Sequence, residues 1–297
     1  MEFAFSSDAP VGSECRRVLM EEVEGAVSQL AHFKANPDLA IHETRKHNKR
    51  IRAVLLLARP VLDSGLISDA NRLIRDAARL FSEARDALVL QETCDKLASH
   101  FGIEPGRGIA TVKSRLAKRH DKILKDKAFG SHVTGASADF SEAGRLLDHW
   151  DWDQVTFDEV FRAVVSNYRL GFDDFEKARA SRDPEECHDW RKRAKSLSYH
   201  LSLLTCLDPL EMGEWAAATT ELASWLGEHH DLAVFETALG DGSDYGISAK
   251  AAGSIQALSE KRRTELEDAA FARGTTIYRA TPEDLHRKFA ALVGALA

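Results

Sequence analysis

A cationic motif that occurs twice is the feature that most constrains this chain. Residues 42–49 (HETRKHNK) return 146 positions later as residues 188–195 (HDWRKRAK). Both copies read H-x-x-R-K-x-x-K and continue into a Leu-rich run. Because residues at i, i+3, i+4 and i+7 share one face of a helix, the pattern predicts a stripe of cations on each of two helices. Two such stripes indicate an internal duplication that builds one polyanion site.

The overall acidity of the chain limits where such a site can lie. The sequence has 297 residues and a formal net charge of −7. A protein of this charge does not coat nucleic acid over its whole surface, so the cations of the site must be concentrated locally. The four cysteines are far apart and form no C-x-x-C pair, which indicates reduced thiols in a cytosolic protein. Neither a secretory signal nor a membrane-spanning stretch is evident, so we expect a cytoplasmic protein without membrane contact.

Helix-start signals and composition predict an all-α fold. Between its turns the chain is rich in Ala, Leu, Glu, Lys and Arg, with little strand-like alternation. Glycine clusters at 102–108, 130–135 and 240–246 are expected to break the periodic segments. An N-cap residue followed by Pro at the first helical position marks four helix starts. These pairs are Asn36-Pro37, Asp183-Pro184, Asp208-Pro209 and Thr281-Pro282.

The repeat extends beyond the motif and predicts two related halves. Residues 16–42 align without a gap with residues 162–188, and residues 83–89 match 228–234. Each half then contains about four helices, so the whole chain, 1–297, is predicted to be one domain of two pseudo-symmetric four-helix bundles. The first half is placed at 11–132, the connection near 133–153, the second half at 153–275, and an extra closing helix at 281–297.

A solvated helix face is the plain alternative for each stripe. Such a face usually mixes charge signs, because like charges at i, i+4 cost roughly 0.2–0.5 kcal/mol each. Since the like-charged pattern occurs in both halves, we favour an anion site. For the stripes outside the motif both interpretations stay open. The candidate binding residues are His42, Arg45, Lys46, Lys49, Arg50, Arg52, His188, Arg191, Lys192 and Lys195, then Arg72, Arg75 and Arg79, then Arg115, Arg119 and Lys122, and Arg262.

The two motif histidines carry a pH expectation. A protonated imidazole can donate to a phosphate or sulfate oxygen, and a bound polyanion favours the charged form. If His42 and His188 bind in this way, affinity should strengthen toward mildly acidic pH.

The ordered pair of motifs resembles the CHAD family, an α-helical domain named for its histidines. Residues 85–89 (RDALV) and 229–234 (HHDLAV) are similar to that family's second-helix signature, and the resemblance covers about 11–297. It implies two four-helix bundles whose basic residues line a central groove, binding of inorganic polyphosphate, and association with polyphosphate granules without catalysis. Carried onto matching positions, it implicates His42, Arg45, Lys46, Lys49, Arg52, His188, Arg191, Lys192 and Lys195.

The second half departs from the cation-rich pattern. Ser196 and Ser198 stand opposite Arg50 and Arg52, and neutral residues replace the stripe of Arg72, Arg75 and Arg79. We therefore expect an asymmetric site to which the first half contributes more cations than the second. No E-x-E-x-K strand motif of a fused triphosphate-tunnel domain is present, so the resemblance implies a stand-alone binder.

Three alternatives to polyphosphate binding remain. Nucleic acid offers the same phosphate charge, but only Trp190 and Tyr199 lie near the motifs for base stacking, so it is not the expected partner. An acidic peptide would also fit a basic groove. Glu185 and His188 have the spacing of a di-metal helical bundle, yet two further inward Glu are missing and nearby cations would repel a metal. We predict no cofactor, no metal ion and no catalytic residue.

Overall fold

The computed structural model describes residues 3–62, 64–102 and 107–294. All regular structure in these ranges is helical, which confirms the predicted all-α fold. Short 3-10 turns lie at Trp152–Gln154, Leu204–Cys206 and Ser243–Tyr245. The α-helices are α1 (Val11–Ala31), α2 (Pro37–Ala58), α3 (Ser64–Arg79), α4 (Ser82–His100), α5 (Arg107–Leu124), α6 (Lys127–Asp148), α7 (Phe157–Ser181), α8 (Pro184–Leu203), α9 (Pro209–Leu239), α10 (Ala249–Ile277) and α11 (Pro282–Gly294).

The helices that carry the repeated motif begin at the predicted caps. The Asn36 side chain accepts a hydrogen bond from the Leu39 amide at 3.2 Å, which starts α2. The Asp183 carboxylate accepts from the Glu185 amide at 2.9 Å, which starts α8. Each cap satisfies an amide that the first helical turn leaves without an intrahelical partner. Each motif therefore begins within the second turn of its helix, His42 six residues after Asn36 and His188 five residues after Asp183.

The two halves place their helices in a similar order but divide them differently. Helices α1 and α2 correspond to α7 and α8 in the repeat alignment. The second half then has one 31-residue helix, α9, where the first half has α3 and α4 separated near the buried Phe81. Likewise α10 spans the length that α5 and the start of α6 occupy. The internal duplication itself stays a prediction from the sequence.

The connection between the halves differs from the one predicted at 133–153. Helix α6 continues to Asp148, so the irregular segment is shorter and contains the 3-10 turn Trp152–Gln154. Gly130 and Gly135, interpreted as breakers, lie inside α6. Their cost to the helix is offset because Phe140 and Leu147 on the same helix are fully buried. The irregular segment, 149–156, overlaps the end of the predicted connection, and the division into two halves stays a prediction.

The hydrophobic core does not divide at the boundary of the repeat. The larger cluster draws on helices of both halves, from α1 to α11. A smaller cluster joins α4 and α5 of the first half to parts of α9 and α10 of the second. At the centre the buried His200 of α8 lies 3.2 Å from the Ala53 carbonyl oxygen of α2. Burial lowers the pKa of His200 to about 4, so the imidazole is neutral. Its contact with the Ala53 carbonyl links the two motif helices.

The last helix packs on the start of the second half. In α11 the ring of Phe289 stacks on Phe161 of α7 with a centroid distance of 4.9 Å. In the part of the chain that the structure describes, no helix has the length and apolarity needed to cross a bilayer.

Candidate anion-binding groove

Two adjoining cavities run along the facing sides of α2 and α8. Their volumes are about 580 Å³ and about 1490 Å³. Both cavities are lined by Lys49, Lys195, Tyr199 and Thr220, so they form one continuous groove. On the opposite side of α2, Ile51 is fully buried, as the helical wheel requires. Burial of the apolar face of α2 turns its cationic face into the groove.

The smaller cavity has one cationic wall and one neutral wall. No carboxylate of the described residues lines it. The neutral wall consists of small residues and hydroxyls from α8 and α9, such as Ser198 and Ala216. The cationic lining, which comes mainly from α2, consists of His42, Arg45, Lys46, Lys49, Arg50, Arg85 and Lys195.

The larger cavity carries cations on both walls and some acids among them. The acids are Asp174, Asp189, Glu228 and Asp231. Asp189 pairs with Lys192, and Asp174 pairs with Arg193. The larger cavity therefore has less net positive charge for its volume than the smaller cavity. The cations are Lys49, Arg52, Arg59, Arg72, Arg75, Lys96, Arg191, Lys192, Arg193 and Lys195.

Within the two motifs, ion pairing follows the same rule in both halves. The lysine at i+4 pairs with the acid three residues before it, Lys46 with Glu43 at 3.0 Å and Lys192 with Asp189 at 2.7 Å. The cations at i+3 and i+7 have no carboxylate oxygen of the described residues within 4.0 Å. We call these four residues the central quartet: Arg45, Lys49, Arg191 and Lys195.

The quartet members lie close enough to repel one another. The pKa of Lys49 is lowered to about 8, first because the groove walls remove water from it and then through Arg191, Arg45, Lys195 and Arg85. Desolvation followed by Arg191 also lowers the pKa of Lys195. Like charges in a partly desolvated groove raise the energy of the free protein, and a bound anion would relieve that cost.

Outside the central quartet, the groove residues of the first half differ in their partners. Arg52 is exposed and lines the larger cavity, as do Arg72 and Arg75. Arg50 donates to Glu22 at 3.1 Å and packs over the ring of Phe3, so this residue also has a structural role. Arg79 lines neither cavity.

Six of the predicted residues line neither cavity: Arg79, His188, Arg115, Arg119, Lys122 and Arg262. Arg115 donates to the Asp244 carbonyl at 3.2 Å, and Arg119 and Lys122 follow it on α5. Helix α5 packs on α4 and on the turn at Ser243–Tyr245, and none of its described side chains lines either cavity. Arg262 is paired with Glu228 at 2.7 Å and lines neither cavity. The residues on α5 and α10 share the helical spacing of the motif cations, but the packing of these two helices directs them elsewhere.

Several cations that line the groove lie outside the predicted set. The most central is Arg85 of α4, which lines the smaller cavity and lies 3.1 Å from Glu92. The sequence contained a signal for Arg85, because this residue begins the segment 85–89 that matches residues of the second half. Its repeat counterpart, His230, stacks on His188 with a centroid distance of 4.0 Å. The other missed cations are Arg59, Lys96 and Arg193, all in the larger cavity.

The pKa values of both motif histidines are lowered in the free protein. The pKa of His188 is lowered to about 4, chiefly by desolvation and then by His230. Desolvation and then Arg85 also lower the pKa of His42. His188 therefore stays uncharged at pH 6 unless an anion first offsets these effects. Stronger binding at mildly acidic pH is consequently no longer expected from His188.

The di-metal alternative finds no matching cluster. Among residues 3–62, 64–102 and 107–294, no group of three or more His, Cys, Asp or Glu side chains is arranged to hold a metal ion. His188 faces His230 in the stacked pair just described.

The fold and the groove define an all-α protein in which two motif-bearing helices present unpaired cations to one channel. A family model of the CHAD domain matches residues 17–240. The chain therefore belongs to the CHAD family, which confirms the resemblance seen in the twin motifs. The crystal structure of the CHAD domain from the plant Ricinus communis is similar in fold, with a TM-score of 0.60 and 20% identity over 91% of this chain and 93% of that chain. No curated protein matches the chain.

Proposed function

We propose that the protein binds inorganic polyphosphate in the groove between α2 and α8 and catalyses no reaction there. The observation that supports this proposal most is the central quartet, in which four cations from two helices lack carboxylate partners. Repulsion within this cluster destabilises the free protein, and anionic oxygens in the groove would replace that repulsion with attraction.

The chemistry of polyphosphate suits these side chains. The chain carries about one negative charge per phosphate and offers oxygen acceptors without apolar surface. Arginine makes forked contacts with such oxygens, while lysine acts as a compact point charge. Arg45 with Arg191, and Lys49 with Lys195, would therefore contact successive phosphates from both walls. The two adjoining cavities provide a continuous path for a linear ligand.

The aromatic residues near the motifs favour polyphosphate over single-stranded nucleic acid. Trp190 is fully buried. The ring of Tyr199 is covered by the Lys195 ammonium group at 4.7 Å and meets Phe3 edge-on at 5.6 Å. Trp190 is therefore closed to a base and the Tyr199 ring is already engaged by Lys195, whereas stacking on aromatic rings supplies much of the affinity of single-strand binders.

A calorimetric titration tests the proposal. Long-chain polyphosphate at about 150 mM salt is expected to bind at least tenfold more tightly than single-stranded DNA of equal charge. If four phosphates are neutralised, the logarithm of the affinity should fall with the logarithm of salt with a slope of roughly −3, by analogy with single-stranded nucleic acid. Equal binding of DNA, or tighter binding of a polyglutamate peptide, would mean that the groove serves a different partner.

The affinity should also fall at alkaline pH. The pKa of Lys49 is about 8 in the free protein, where Arg45, Arg85, Arg191 and Lys195 surround it. A bound polyanion favours the charged amine, so binding above that pKa requires proton uptake and weakens by up to about tenfold per pH unit. Titrations from pH 6 to pH 10 check this. In a Lys49→Arg variant the guanidinium keeps its charge, so a decline of the same size there would contradict the assignment.

We propose further that the protein resides in the cytoplasm on polyphosphate granules, as the family resemblance implies. A fluorescent fusion should coincide with granules stained for polyphosphate. Charge reversal of the central quartet should disperse the fusion without changing granule number. A fusion that stays on granules after charge reversal would place the targeting signal outside the groove.

A further inference from the structure

Lys49 differs from the other three lysines of the two motifs. Lys46 and Lys192 are each paired with an acid on their own helix. The Lys195 ammonium group is half-buried over the ring of Tyr199. Lys49 has no such carboxylate or aromatic contact among the described residues and lines both cavities where they join. Part of its side chain is open to solvent, although the groove walls partly desolvate its amine. Its amine is therefore the one motif amine that is both accessible and unengaged.

The surroundings of Lys49 provide both a nucleophile and an anion site. Arg45 lines the smaller cavity and Arg191 the larger one, and Lys49 lies where the two cavities join. Desolvation by the groove walls, and then the charges of Arg191 and Arg45, lower the pKa of Lys49 to about 8. At about pH 7.5, roughly a quarter of these amines are neutral and nucleophilic. The same two guanidinium groups are forked donors suited to a phosphate group.

We infer that Lys49 is a site of acylation by acyl phosphates, small metabolites in which an acyl carbonyl is joined to a phosphate. This inference rests on the proposed anion binding of the groove. Arg45 and Arg191 hold the phosphate group and place the carbonyl carbon beside the Lys49 Nζ atom. Holding the two reactants together converts a slow bimolecular encounter into a reaction within one complex.

The reaction balances without any additional reactant. The Nζ lone pair attacks the carbonyl carbon and forms a C–N bond. The bond between that carbon and the phosphate oxygen then breaks, and inorganic phosphate leaves with the electron pair. The amine gives its proton to the departing phosphate or to solvent. The product is a neutral amide at the junction of the two cavities.

Acylation and polyphosphate binding would then oppose each other. The amide removes one charge of the central quartet at the point where both cavities meet, so an acylated protein should bind polyphosphate at least tenfold more weakly. A bound polyphosphate covers Arg45 and Arg191 and should protect Lys49 from acyl phosphates. The groove would thereby respond to the supply of phosphorylated acyl donors.

Site-resolved mass spectrometry of the full chain after brief exposure to acetyl phosphate tests the inference. Acetylation at Lys49 is expected to be at least tenfold faster than at Lys46, its matched neighbour on α2. The uncharged N-hydroxysuccinimide ester of acetic acid reports amine reactivity alone, so it should discriminate less between the two lysines. An Arg191→Gln variant should lose more of the acetyl phosphate rate at Lys49 than of the ester rate. Arg45→Gln provides the same comparison if the first variant does not fold.

The outcomes separate this inference from the proposed function. Equal rates at Lys49 and Lys46, or equal losses with both reagents in the variants, would overturn acylation guided by the phosphate group. If Lys49 is preferentially acetylated but long-chain polyphosphate neither binds nor protects, the acylation site stands and the polyphosphate proposal fails. If polyphosphate binds tightly but Lys49 shows no preference, the acylation inference alone fails.

Discussion

Replacing Arg45 and Arg191 together by glutamate is expected to abolish polyphosphate binding. The two residues occupy the same position of the repeated motif, and the charges of both lower the pKa of Lys49. Each substitution removes a forked donor and places a carboxylate beside lysines that would otherwise contact phosphate. Losing one partner of a desolvated charge pair costs about 2–5 kcal/mol, and about 1.4 kcal/mol is tenfold in affinity, so the double variant should bind at least about 10³-fold more weakly.

The repeat supplies a matched control for this experiment. Lys46 and Lys192 lie on the same helices and the same groove, but each is already paired with an acid. The Lys46→Glu/Lys192→Glu protein has the same net charge as the first variant and should retain more affinity by at least tenfold. Calorimetry of both proteins at one salt concentration measures the difference. Equal losses would show that the total charge of the groove matters and that the central quartet has no special role.

Protein stability provides a second readout for the same variants. In the free protein the quartet cations repel one another, as the lowered pKa of Lys49 indicates. Glutamate at positions 45 and 191 removes that repulsion and offers new partners to Lys49 and Lys195, which offsets the lost hydrogen bond from Arg45 to the Ala78 carbonyl oxygen at 3.2 Å. The thermal midpoint of the double variant should therefore be unchanged or higher. A loss of binding that is accompanied by a lower midpoint would instead indicate misfolding.

Helical spacing made the centre of the groove predictable from the sequence. The motif positions i+3 and i+7 fall on one helix face, and the paired positions could also be read, since Glu43 and Asp189 precede their lysines by three residues. The spacing could not show which part of the folded protein each cationic helix face would contact. The stripe on α5 has the same periodicity as the motif, yet Arg115 donates to the Asp244 carbonyl in the turn at Ser243–Tyr245, outside both cavities.

Residues from helices without a motif were harder to foresee. Arg85 enters the smaller cavity because α4 begins there, after the break between α3 and α4 near Phe81. The second half has no such break in α9, and the aligned position is His230, which stacks on His188. Gly130 and Gly135 were predicted to break a helix, but they lie inside α6. A glycine stops a helix only where packing does not hold it, and the buried Phe140 supplies that packing.

Replacing Trp190 by alanine is expected to lower the free energy of unfolding by about 3–5 kcal/mol. The side chain is fully buried in α8 and stacks parallel to Phe271 at 5.7 Å. It also contacts Phe175 at 5.1 Å, and its Nε1–H donates to the Tyr278 hydroxyl at 3.3 Å. Gly274 leaves room for the indole, since a Cβ there would lie 2.7 Å from it. The ring therefore joins α7, α8 and α10.

Urea unfolding of the variant, beside Leu210→Ala as a control, measures this cost. Leu210 is 74% exposed, so its truncation should change stability by no more than about 0.5 kcal/mol. A loss below about 1 kcal/mol for Trp190→Ala would contradict the packing described here.

Trp190 immediately precedes Arg191, so the same protein tests how closely the core and the groove are coupled. Polyphosphate at about 100 times the dissociation constant stabilises a binding-competent fold by about 2.7 kcal/mol. If the variant gains this amount, α8 keeps its place and the indole contributes stability alone. If it gains much less, the buried indole also positions Arg191, and the groove depends on core packing on the opposite face of the same helix.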